Sequence, residues 1–179
     1  MVAYERICLE RPPAWIVVVG DVNSTLASAL VAAKLCIPLA HLEAGLRSGD
    51  RTMPEEINRI LTDAIADLLW TPSPDADENL RAEGIPEARI ERVGNVMIDA
   101  YELQRPRIAQ AATPARLGLE GGSYGVVTLH RPANVDSQDT LRLLVDQLIE
   151  SARALPLAFP VHPRTREHLE GFGFSPRLR

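Results

Sequence analysis

The sequence predicts an α/β protein built from parts of two Rossmann-like domains, each with a doubly wound parallel sheet. Short apolar runs alternate with segments of helical period along all 179 residues, the order that gives parallel sheets rather than sandwiches. No hairpin signal joins two of the runs. The dinucleotide fingerprint G-x-G-x-x-G is absent, so the first strand–helix turn is not of that type.

The elements follow in order. Met1 to Pro13 reads as the tail of a helix and a turn, stopped at Arg11-Pro12-Pro13. Trp15 to Gly20 is a β-branched run expected to be buried on both faces. An alanine-rich helix follows, with Asn23 or Ser24 as its N-cap. Pro38 to Glu43 is a second strand. Pro54 to Asp67 is a helix whose proline suits a first turn, and whose Glu55 and Glu56 meet the positive end of its dipole. Leu68 to Thr71 is a strand, SPDADENLRAEG a helix closed by Gly84, and Ile90 to Val93 a strand. The helix from Val96 is expected to bend or break at Pro106. The stretch 112–123, rich in proline, glycine and alanine, is the expected linker between domains at 1–111 and 124–179. Tyr124 to Leu129 restarts a strand, RPANVDS is a loop, and DTLRLLVDQLIESARAL is a helix with one apolar face. LAFPVHP is the last strand, RTREHLEGFG a short helix, and the tail SPRLR has no closing element.

Composition narrows the function. A net charge of −5 argues against a general nucleic-acid binder. Only one of the 19 basic residues is a lysine, Lys34. Cys8 and Cys36 have no metal-like spacing, and Cys36, in an apolar run, is expected to be a buried thiol in a reducing compartment. The N-terminus lacks the apolar core of a signal peptide, and no run reaches membrane-spanning length. A cytoplasmic protein without a membrane partner is expected.

The densest chemistry lies in HLEAGLRSGDRTMPEEINR, His41 to Arg59. Glu43 ends a strand and Glu55 opens the next helix, so both belong to the mouth where open α/β sheets bind ligands. Arg47, Arg51 and Arg59 lie between or beside them, and Glu55 and Arg59 share a helix face. Asp21 takes the matching place after the first strand, and His130, followed by Arg131, the matching place in the second domain. His162 is a weaker candidate between Pro160 and Pro163, and His41 and His168 carry no separate signal. Each charge alone reads as a solvated surface group or, for Asp21, a turn cap. Together, carboxylates at strand ends suit acid–base work, and arginines beside them suit a phosphorylated substrate. The residues alone thus point to a sugar-phosphate or nucleotide enzyme.

GDVNSTLA, HLEAGLRSGDRTMPEEINR, VGNVMIDA and VTLHRPANVD, in that order, resemble the non-hydrolysing UDP-N-acetylglucosamine 2-epimerases from Trp15 onward. The resemblance implies a two-domain GT-B-like fold with its site between domains, no metal and no redox cofactor. It also implies a UDP-sugar substrate, homodimers, and supply of cell-envelope polysaccharide synthesis. By motif match, the family's acidic residues fall on Asp21, Glu43 and Glu55 and its histidine on His130, with Arg47, Arg59 and Arg131 as substrate contacts. The implied route is elimination and readdition of UDP through a 2-acetamidoglucal. Two motifs depart from the family: Val22 to Thr25 stand where threonines are usual, and His130-Arg131-Pro132-Ala133 replaces H-R-R-E. Family members are about twice this length, so the chain is expected to be truncated at both ends. The alternatives are an inactive fragment, one part of a split epimerase that needs a complementing fragment, and a GT-B glycosyltransferase, against which E-A-G-L-R and P-E-E-x-N-R argue.

Overall fold

Strand β1 (Ile16–Val19) opens a four-stranded parallel sheet in the computed structural model, which describes residues 1–119 and 123–178. Helix α1 (Val2–Glu10) precedes it. Then come α2 (Asn23–Lys34), β2 (Leu39–Leu42), α3 (Pro54–Ile65), β3 (Leu68–Thr71), α4 (Pro74–Ala82) and β4 (Ile90–Arg92). The strand order is β1-β2-β3-β4. With right-handed crossovers, that order carries α2, α3 and α4 over one face of the sheet. The core is built there from Ile16, Val18, Leu39 and Leu69, the alanines Ala29 and Ala32 of α2, Leu80 of α4, and Cys8 of α1. His41 is in register with Val18 and Leu69. An imidazole therefore lies in the same row as two core side chains.

Several expectations are corrected. β1 is not buried on both faces: Val17 and Val19 are 52% and 50% exposed, because the crossover helices share the other face. The N-cap of α2 is Val22, not Asn23 or Ser24, and no side-chain cap bond forms there. Cys36 is exposed, not buried. It sits just past the end of α2 with φ +54°, where the chain turns toward β2. Of the bend or break expected at Pro106, a break is not found: α5 (Val96–Ala111) runs through it.

The chain divides into two compact units, Met1–Arg105 and Pro106–Arg179. Within the stretch expected as a linker, Thr113–Arg116 form a short helix, α6, and residues 120–122 lie outside the described residues. The second unit pairs β5 (Gly125–Val126) in parallel with β6 (Leu157–Ala158). Both strands are shorter than their apolar runs, because pairing stops after Val126 and Ala158. A four-residue helix, α7 (Pro132–Val135), stands where a loop was expected. Helix α8 (Gln138–Ala154) is capped by Ser137, whose Oγ accepts from the Thr140 amide. Helix α9 (Pro163–Gly171) and a closing 3-10 turn, Ser175–Leu178, complete the unit. Val135, Leu141, Val145, Leu169 and Phe174 make its core.

Candidate functional site

The β1–α2 turn begins at Gly20, whose φ is +66°. A Cβ built there would lie 3.3 Å from Oε2 of Glu43, so the Glu43 carboxylate reaches over this glycine. Asp21 comes next and is held from α3. Asn58 donates its side-chain N–H to the Asp21 carbonyl (2.8 Å) and to Oδ1 of Asn23 (2.9 Å). Asn23 therefore serves the turn instead of capping its helix. Arg59 pairs with the Asp21 carboxylate at 2.8 Å. Its Nε–H is buried and meets no acceptor among the described residues, an unsatisfied donor that costs about 1–3 kcal/mol.

Glu43 sits in the left-handed region at φ +68°. For a residue with a Cβ that conformation costs about 1–2 kcal/mol, and it persists where the surroundings over-determine it, often at functional sites. Glu55, in the first turn of α3, is exposed. Among the described residues, no hydrogen bond or ion pair engages the carboxylate of Glu43 or Glu55. The carboxylate of Asp21, by contrast, is held by Arg59.

Beneath this surface lies a buried polar network. The side chains of His41 and Asp63 are fully buried, with His41 Nδ1 2.6 Å from Asp63 Oδ1. His41 Nε2 is 2.8 Å from the Gly20 carbonyl oxygen. Asp63 Oδ2 accepts from the Gly45 amide (3.0 Å) and is ion-paired with Arg47 Nη1 (2.8 Å). Arg47 was expected to touch substrate. It lies here between Asp63 and Glu83, with two donors 2.7 Å from the Glu83 carboxylate and a third on the Leu46 carbonyl.

Glu56, not its neighbour Glu55, anchors the loop. It is buried and accepts from the Ser48 amide and hydroxyl and from the Gly49 amide. Burial pushes its carboxyl up, but the Ser48 and Gly49 donors and the Arg47 charge outweigh that, and the net shift is downward. Asp77 behaves alike: burial opposes ionisation, while the Thr71 hydroxyl, Arg92 and Arg81 favour it and prevail. Both carboxyls ionise more readily folded than unfolded. Their stabilisation is complete above the ordinary carboxylate range and is lost as pH falls through the depressed values. Urea midpoints should fall as pH drops below about 4.5. Glu56→Gln should lower the plateau and make the acid limb shallower; an unchanged limb would remove Glu56 from this account.

In the second unit, His130 is exposed and its Nδ1 lies 3.2 Å from the Thr128 hydroxyl. Arg131 is exposed beside it, at the N-cap of α7. His162 caps α9, its Nδ1 accepting from the Arg164 amide at 3.2 Å. The His130 and His162 rings stand 5.8 Å apart. Among the described residues, no group of three or more His, Cys, Asp or Glu is placed to hold a metal ion.

In the first unit the structure thus brings together Asp21, Glu43 and Arg59 and places Glu55 one helical turn before Arg59. Sequence reasoning missed His41, Glu56, Asn58 and Asp63. The available signal was the run of polar residues 56, 58, 59, 62 and 63 on α3; Glu56, Asn58, Thr62 and Asp63 are buried.

A family model described as UDP-N-acetylglucosamine 2-epimerase matches residues 1–177. The chain belongs to that family. It is similar to the UDP-N-acetylglucosamine 2-epimerase of Methanocaldococcus jannaschii, with 42% identity over 100% of this chain and 50% of the relative. The crystal structure of a UDP-GlcNAc 2-epimerase from that organism, in complex with UDP-GlcNAc and UDP, superposes with a TM-score of 0.85 at 42% identity, over 99% of this chain and 50% of the other. The UDP-2,3-diacetamido-2,3-dideoxy-D-glucuronate 2-epimerase of Pseudomonas aeruginosa is 43% identical over 96% of this chain and 48% of its own length. The chain spans about half the length of these epimerase relatives. Its α/β fold with parallel sheets is that of the epimerase family.

Proposed function

We propose that this chain carries the acid–base half of a UDP-N-acetylglucosamine 2-epimerase site, which interconverts UDP-N-acetylglucosamine and UDP-N-acetylmannosamine. One observation carries the reading: Glu43, strained and unpaired, reaches over Gly20 next to the Asp21–Arg59 pair. The C2 proton of the sugar has no adjacent carbonyl and is not acidic. When the C1–O bond breaks, UDP leaves with the electron pair and positive charge develops at C1. A carboxylate then takes the C2 proton, and the C–H electrons form the double bond of a 2-acetamidoglucal. Returning a proton to the opposite face of C2, with UDP oxygen rejoining C1, gives the epimer.

In this reading Glu43 and Glu55 exchange protons with the sugar and Asp21 is held in place by Arg59. Arg47 positions the loop through Asp63 and Glu83. His130 and Arg131 offset the charge of the departing diphosphate, the electrostatic contribution that usually dominates such steps. The domains are 1–111 and 124–179, joined by 112–123, and the whole enzyme is a cytoplasmic homodimer. Among the described residues, no helix is long and apolar enough to cross a membrane.

The test is to incubate the chain with UDP-N-acetylglucosamine in deuterated water and follow C2 by proton NMR. Deuterium at C2 with a mannosamine signal is expected, and Asp21→Asn or Glu43→Gln should abolish it. Exchange only after a complementing fragment is added would identify one part of a split enzyme. A folded chain that exchanges nothing under either condition would be an inactive fragment, and sugar transfer without epimerisation would restore the glycosyltransferase reading. A second substrate reading rests on the Pseudomonas aeruginosa relative at 43% identity; faster exchange on UDP-2,3-diacetamido-2,3-dideoxy-D-glucuronate would favour it.

A further inference from the structure

We propose that the buried His41–Asp63 pair is a positioning device that sets the two strand-end carboxylates, Asp21 and Glu43, in relation to each other. The proposal rests on the reading of those carboxylates as reacting groups. The imidazole binds the carbonyl of Gly20, the residue before Asp21, at 2.8 Å. Through Asp63 it is linked at 3.0 Å to the amide of Gly45, two residues beyond Glu43. Both turns are thereby fastened to one planar ring and to one carboxylate on α3. The same helix supplies Asn58 and Arg59, which hold Asp21 through its carbonyl and its carboxylate.

Hydrogen counting gives the pair its chemical form. A carbonyl oxygen only accepts, so Nε2 carries the hydrogen of the bond to Gly20. Asp63 Oδ2 already accepts from the Gly45 amide and is ion-paired with the Arg47 guanidinium, which favours an ionised carboxylate. Its Oδ1 then accepts from Nδ1–H at 2.6 Å. Both ring nitrogens donate, and the ring is an imidazolium with no exposed surface. Its charge and that of Arg47 are balanced by Asp63 and Glu83. A doubly donating ring is the form that can hold a carbonyl on one side and a carboxylate on the other.

The experiment uses the whole chain, labelled with nitrogen-15 in histidine and carbon-13 in side-chain carboxyls. The unmodified protein should show one histidine, His41, with two ring N–H protons protected from solvent; a single ring proton on His41 would overturn the proposal without any variant being needed. In folded Asp63→Asn, one of those protons should be lost, and the carboxyl resonances of Asp21 and Glu43 should move while that of surface Asp146 stays. A pair that only stabilises the core would lower the melting temperature and leave Asp21 and Glu43 where they were, which would also overturn it. Failure of the functional reading looks different: undiminished C2 exchange in Asp21→Asn and Glu43→Gln, with the His41 ring protons intact.

Discussion

Glu43→Gly is expected to leave the chain as stable as before, or up to about 1 kcal/mol more stable, while ending any C2-proton exchange on a UDP-sugar. The two effects separate because they come from different atoms. Backbone strain at φ +68° is relieved when the Cβ is removed, a gain of roughly 1–2 kcal/mol. The greater freedom of glycine in the unfolded chain takes back about 0.4–1 kcal/mol. The side chain adds no hydrogen bond or ion pair among the described residues, so its loss offsets little of the remainder. Glu43→Gln keeps the strain and removes only the proton chemistry, so its urea midpoint should match the parent. A large loss of stability in Glu43→Gly would mean that side-chain packing outweighs strain, and retained exchange would remove Glu43 from the reacting groups.

Gly45→Ala should be the most damaging single-methyl change in the first unit, at about 3 kcal/mol by urea titration. The added Cβ would overlap the Ala76 carbonyl oxygen and lie 2.9 Å from its carbon, on a backbone at φ +79°. Backbone cannot rotate away as a side chain can. Gly20→Ala is the matched control: its Cβ meets only the flexible Glu43 carboxylate, at 3.3 Å. That variant should lose less stability but displace Glu43, so exchange should suffer more than the midpoint. Equal losses at the two glycines would mean that α4 can shift to admit the methyl.

The E-A-G-L-R motif shows what a sequence can and cannot disclose. The placement of Glu43 at a strand end followed from an apolar run of the right length, and the opening of α3 followed from Pro54 and the acidic pair after it. The need for Gly45 was hidden, because the atom that excludes a side chain is a carbonyl 31 residues away. His41 was hidden for a related reason: its partners are Asp63, on another element, and a main-chain oxygen, and neither leaves a periodic trace. The two glutamates at 55 and 56 looked equivalent as helix-dipole residues, yet only Glu56 turns inward to the loop amides. In the second unit the apolar runs were read correctly as strands, but how far each pairs depends on a neighbouring strand that no local pattern encodes.

The Arg47 linkage bears on how the site moves. From the loop after β2, Arg47 joins Asp63 of α3 to Glu83 just past α4, and Asn79 of α4 holds the Gly45 carbonyl. The loop that bears Glu43 is therefore fastened to two helices that belong to the core. It cannot fray on its own, since each step of opening also strips a buried ion of its partner. Loops of this kind open only when their whole cooperative unit does. The end of β2 that bears Glu43 is thereby held more firmly than the exposed first turn of α3 with Glu55.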